Sequence, residues 1–169
     1  MDFVRLLLRI IHIGGGVFWV GGTLVMTFFI GPTIGATGEA GQKFVGHLMN
    51  KLKFSNIMAT AAGLTILAGA ILYGLDARAS AAWPTRGFGL GLSIGAIFAL
   101  IGFVFGLMIG RTTKAMAQLG GQMQGKPSPE QVTQMQTIRK RQATYSTISA
   151  LALILATIIM AIARYLGPG

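Results

Sequence analysis

An imidazole lies inside an otherwise apolar run: Ile10-Ile11-His12-Ile13 leads directly into Gly14-Gly15-Gly16-Val17-Phe18-Trp19. An ionisable side chain in hydrocarbon costs about 2.5–3.5 kcal/mol on insertion-based scales, so it is expected to turn toward other protein and meet a partner or ligand there. Arg5, Arg9, His12, Gly16, Trp19 and Thr23 follow at alternating intervals of four and three and so share one helix face. Met160 and Arg164, near the end of the last apolar run, are expected at a similar depth. A neutral imidazole ligates haem iron or copper. A thioether serves as a second ligand, and guanidinium groups pair with propionates or lipid phosphates. The candidate cofactor site is therefore His12, Arg5, Arg9, Trp19 and Met160, with His12 and Met160 as metal ligands. Haem b or another porphyrin is the first cofactor expectation and copper the alternative. The plainer reading needs no cofactor: His12 bonds a neighbouring helix while the arginines reach headgroup phosphates.

Other chemistries find little support. The four acids, Asp2, Glu39, Asp76 and Glu130, fall at the terminus or in expected connections. No paired carboxylate is expected within the membrane for acid–base catalysis or ion coupling. There is no cysteine, hence no thiolate ligand or nucleophile. His47 stands between Lys43 and Lys51 and reads as part of a solvated face, and Met26, Met58 and Met108 form no close cluster. No nucleotide loop or zinc motif occurs. No catalytic residue is assigned, and the chain reads as a binding or accessory protein rather than an enzyme.

The elements that must position these groups are helices of membrane-spanning length. Only 11% of the residues are charged and 53% are hydrophobic, against about 25% charged in soluble domains. One transmembrane domain over 1–169 is expected, an all-α four-helix bundle with spans at about 6–30, 57–75, 88–110 and 145–165, each matched to ~30 Å of hydrocarbon. Gly31-Pro32 is expected to end the first span. Between Glu39 and Phe54, Phe44, Val45, Leu48 and Leu52 share a face, which predicts an amphipathic helix in the interface. The third span is expected to continue to Leu119 and stop at Gly120-Gly121. A new helix is expected from Ser128-Pro129-Glu130-Gln131, giving a projecting helical hairpin. Gly91, Gly95, Gly102, Gly106 and Gly110 recur at spacings that allow close helix approach, within the bundle or between copies.

The net charge of +10 is carried at the ends of the apolar runs. That placement suits a bilayer with anionic headgroups and argues against nucleic acid. Arg5, Arg9, Arg78, Arg86 and Arg164 fall on one side, and Lys43, Lys51, Lys53, Arg111, Lys114, Lys126, Arg139, Lys140 and Arg141 on the other. The excess predicts cytoplasmic connections at 31–56 and 111–144 with both termini outside. A homo-oligomer or a larger membrane complex is the expected form of any protein partner, with scaffold or pore roles as alternatives to cofactor binding.

Arg9-x-x-His12, with Trp19 and Gly22 following at fixed offsets, resembles the first span of the bacterial copper-resistance D-type and HemJ-like group of four-span membrane proteins. The closing Met160-Ala161-Ile162-Ala163-Arg164-Tyr165-Leu166 is similar to members of the same group. The resemblance implies a location in the bacterial cytoplasmic membrane, with His12 as haem or metal ligand and Arg9 as the basic position before it. The later basic residue of the HemJ-type enzymes and the several membrane histidines of the copper-resistance type have no counterpart in this chain.

Overall fold

The computed structural model describes residues 3–78, 80–123 and 127–166, whose regular structure is entirely helical. Asp2, Lys126 and the tip of the expected hairpin lie outside the described residues. The order is α1 (Phe3–Val25), a π-helical segment (Met26–Ile30), α2 (Gly31–Ala36), α3 (Glu39–Asn50), α4 (Phe54–Ala77), a 3-10 turn (Trp83–Thr85), α5 (Gly87–Gln122), α6 (Pro129–Ile162) and a final 3-10 turn (Ala163–Tyr165). Four paths, Phe3–Ala36, Phe54–Ala77, Gly87–Gln122 and Pro129–Tyr165, are long and apolar enough to cross a membrane. The chain is an all-α membrane bundle.

The first helix does not end at Gly31-Pro32. Pro32 lacks an N–H and cannot continue a regular ladder. The chain accommodates it by widening one turn: the Gly31 N–H donates to the Met26 carbonyl, five residues back, and Pro32 then stands at the start of α2. The proline is absorbed as a new helix start, where a missing N–H costs nothing. α3 also stops earlier than the amphipathic pattern suggests. Lys53 adopts a left-handed φ of 51°, which turns the chain, and Phe54 becomes the first residue of α4.

The start of α6 forms as its sequence predicts. Ser128 Oγ accepts from the Gln131 N–H, and Gln131 Oε1 accepts from the Ser128 N–H. The Ser128 hydroxyl also donates to Glu130 Oε2 at 2.8 Å, and this bond together with a backbone bond holds the Glu130 carboxyl below the usual carboxylate range. α5 has 36 residues, about 54 Å at ~1.5 Å per residue, so it outruns the hydrocarbon and projects with the start of α6.

Two helix pairs build the bundle. α1 packs on α4 and α5 on α6, with narrower seams joining α4 to α5 and α1 to α6. Trp19, Ala62 and Leu153 form the buried centre, and Phe103 meets Trp19 edge-on with ring centroids 6.2 Å apart. Such aromatic pairs contribute about 0.5–1.5 kcal/mol beyond burial. Three threonine hydroxyls inside the spans are satisfied locally: Thr23, Thr65 and Thr157 each donate to the carbonyl four residues back. Val17, Phe29, Leu67, Ile97 and Leu155 point outward, as a lipid-facing surface requires.

The small residues act unevenly. A Cβ at Gly91 would meet Ala163 at 2.7 Å, at Gly95 Met160 at 2.5 Å, and at Gly102 Leu153 at 2.7 Å, so α6 and the 3-10 turn that follows it close directly on all three. Gly106 and Gly110 meet nothing within 4 Å. Within the bundle, Gly91, Gly95 and Gly102 thus allow close approach, whereas Gly106 and Gly110 line a cavity.

Candidate functional site

His12 faces α4. Its Nδ1 lies 2.8 Å from the Thr65 carbonyl oxygen. A carbonyl only accepts, so Nδ1 carries the hydrogen, and in the neutral ring Nε2 presents a lone pair. Nε2 makes no hydrogen bond among the described residues, and it is not sealed from its surroundings. Gly69 makes room for the ring and Gly15 for its neighbour Thr65. A Cβ at Gly69 would lie 2.6 Å from His12 Cε1, and a Cβ at Gly15 would lie 2.6 Å from Thr65 Oγ1. The Thr65 hydroxyl is itself occupied by the Ala61 carbonyl.

Arg5 Nη1 is paired with Asp76 Oδ1 at 2.8 Å, the side chains being 40% and 27% exposed. Asp76 belongs to the last turn of α4, not to a connection as its surroundings in the sequence suggested. The pair ties the end of α1 to the end of α4; in water such a pair contributes only about 0–1 kcal/mol. Arg9 is exposed beside it. Trp19, 4% exposed, is a core residue two turns deeper than His12. Met160 packs under Gly95 in the α5–α6 seam. Arg5, His12 and Trp19 therefore follow one another along the α1–α4 seam, Arg9 is exposed, and Met160 packs against α5.

A cavity of about 610 Å³ opens at the opposite end of the bundle, where α1 gives way to α2. Its walls come from α1, α4, α5 and α6, and α3 lies across it through Gln42, Val45 and Met49. The face expected on α3 is thus divided: Val45 turns to the cavity while Phe44 and Leu52 remain exposed. Of the sequence candidates only Trp19, Gly106 and Gly110 line it. Sequence reasoning missed the cavity, although a signal was present. Gln142, Ser146 and Ser149 recur at intervals of four and three at the start of the fourth span, and small residues recur on α5 at Gly106 and Gly110. Small groups on two facing helices leave space when nothing large fills it.

Among the described residues there is no group of three or more His, Asp or Glu side chains able to hold a metal. No protein-family model, curated protein or solved structure matches this chain.

Proposed function

We propose that this chain is a bacterial membrane protein that holds a haem, a porphyrin-type ring or a copper ion through Nε2 of His12. The observation that supports this reading is the Nδ1–H bond to the Thr65 carbonyl. Metal-ligating histidines almost always donate their other ring N–H to a carbonyl or carboxylate, which fixes the ring and leaves the second nitrogen basic. His12 has that arrangement, built between two helices and seated on Gly69. Arg9, exposed at the same end of α1, is the group available to an anionic substituent of the ring, while Arg5 is engaged by Asp76. A bound haem or copper would supply one-electron chemistry; the protein would supply the ligand, its orientation and the anion contact. In this reading the basic connections 31–56 and 111–144 face the cytoplasm, with both termini outside.

The same bond favours a second reading, in which His12 only ties α1 to α4. Purified wild type and His12→Ala separate the two. On the cofactor reading the wild type carries a haem absorption band or stoichiometric copper, and the variant loses it while keeping its helical content. A wild type that stays colourless and metal-free after haem and copper are offered, with a variant that merely melts earlier, leaves the tie alone standing.

A further inference from the structure

The cavity below α3 has a polarity gradient. At its mouth stands Arg139, and Gln142 Nε2 donates to Thr113 Oγ1 at 3.2 Å just inside. Further in along α6 come Ser146 and Ser149, and the Ser149 hydroxyl is spent on the Gly102 carbonyl. Trp19 and Phe103 form the deepest wall, and thioethers and alkyl groups such as Met58 and Leu107 line the sides. From residue 139 to residue 149 the helix rises about 15 Å, so a ligand filling this space is longer than it is wide. The volume lies within the roughly 300–1,000 Å³ of small-molecule sites.

Charge identifies the head of that ligand. The chain carries 14 basic and four acidic residues. The acids are accounted for elsewhere: Asp76 is paired with Arg5, Glu39 with Lys43 and Glu130 with the Ser128 hydroxyl, while Asp2 belongs to the terminus. Arg139 has no ion pair among the described residues, and Lys140 and Arg141 follow it in the chain. A guanidinium at the mouth of an apolar pocket calls for a carboxylate or phosphate.

We propose that this cavity is a binding site for an amphiphile with an anionic head and an apolar chain, the head meeting Arg139 and the chain ending against Trp19 and Phe103. A free fatty acid and an anionic bilayer phospholipid share this chemistry. The site is independent of His12.

Trp19 reports on it directly. The chain has two tryptophans, and the second, Trp83, is packed on Tyr73 away from the cavity. In Trp83→Phe protein, held in neutral-detergent micelles, Trp19 fluorescence is titrated with a fatty acid brominated in mid-chain, with a brominated phosphatidylglycerol, and with the matching brominated fatty alcohol. The expected result is saturable quenching by one or both anionic probes, weakened about tenfold in apparent affinity by Arg139→Gln, the loss that one charge-assisted contact implies. Quenching by the acid alone identifies a free carboxylate as the ligand; quenching by the phosphatidylglycerol identifies a lipid phosphate. Gly106→Leu, which places a side chain in open space, should abolish the saturable component without unfolding the bundle. Quenching that is equally strong with the alcohol, does not saturate, or is indifferent to both substitutions overturns the proposal.

Discussion

At the scale of single residues, the position of His12 rests on what is missing around it. The ring is seated because residue 69 has no side chain. Gly69→Ala drives a methyl into Cε1 and must move the ring off the Thr65 carbonyl. Overpacking of this kind costs typically about 1–3 kcal/mol. Gly14→Ala, on the same helix as His12 but with nothing within 4 Å of its Cβ, removes a poor helix former and should be neutral or stabilising by up to ~1 kcal/mol. Thermal unfolding of the two variants in detergent compares them; equal melting temperatures would show that the ring does not rest on Gly69. That His12 would turn to a neighbouring helix was legible in the sequence, because one ionisable group in an apolar run needs a partner. Its partner was not. Thr65 offers a backbone carbonyl, which every residue has, so nothing in the sequence marks it.

At the scale of elements, the helix starts were easier to read than the stops. The start of α6 is written in the side chains of Ser128, Glu130 and Gln131, which bond one another and the nearby backbone. The end of α1 was misread because proline can be accommodated in two ways, by ending a helix or by a widened turn ahead of it, and only the register of the preceding carbonyls decides between them. The glycine series on α5 carries a similar ambiguity. Gly102 and Gly106 look equivalent in the sequence, yet one touches Leu153 and the other faces open space. Gly102→Leu should therefore separate α5 from α6 and cost roughly 1–3 kcal/mol or more, whereas Gly106→Leu should leave stability almost unchanged. Unfolding in a graded denaturing-detergent series measures both. A comparable loss in the two variants would mean that α6 closes on the whole length of α5 and that no cavity separates them.

At the scale of the whole molecule, the bundle is two helix pairs joined by thin seams, and two of its polar regions lie apart. One is the His12 seam, near the end of the bundle held by the Arg5–Asp76 pair; the other is the cavity under α3. The four-span architecture was legible because length and apolar content suffice for it. The separation of the two polar regions was not, since it depends on which helices pair, and the sequence does not state the pairing. The inferred sidedness is directly testable because the chain has no cysteine. A cysteine introduced at Lys140 should react with an impermeant maleimide only after the membrane is opened, and one at Arg78 should react in intact cells; the reverse pattern would invert the assignment.

On the cofactor reading, His12 holds its hydrogen on Nδ1 and offers Nε2 to a ligand. Nitrogen NMR of histidine-labelled protein reads both atoms, with exposed His47 as an internal reference. The expected result is a protonated Nδ1 and an unprotonated Nε2 for His12, and an Nε2 resonance that shifts on addition of copper(I) or haem while that of His47 does not. An Nε2 that carries the hydrogen, or one that ignores every added metal and haem, would contradict it.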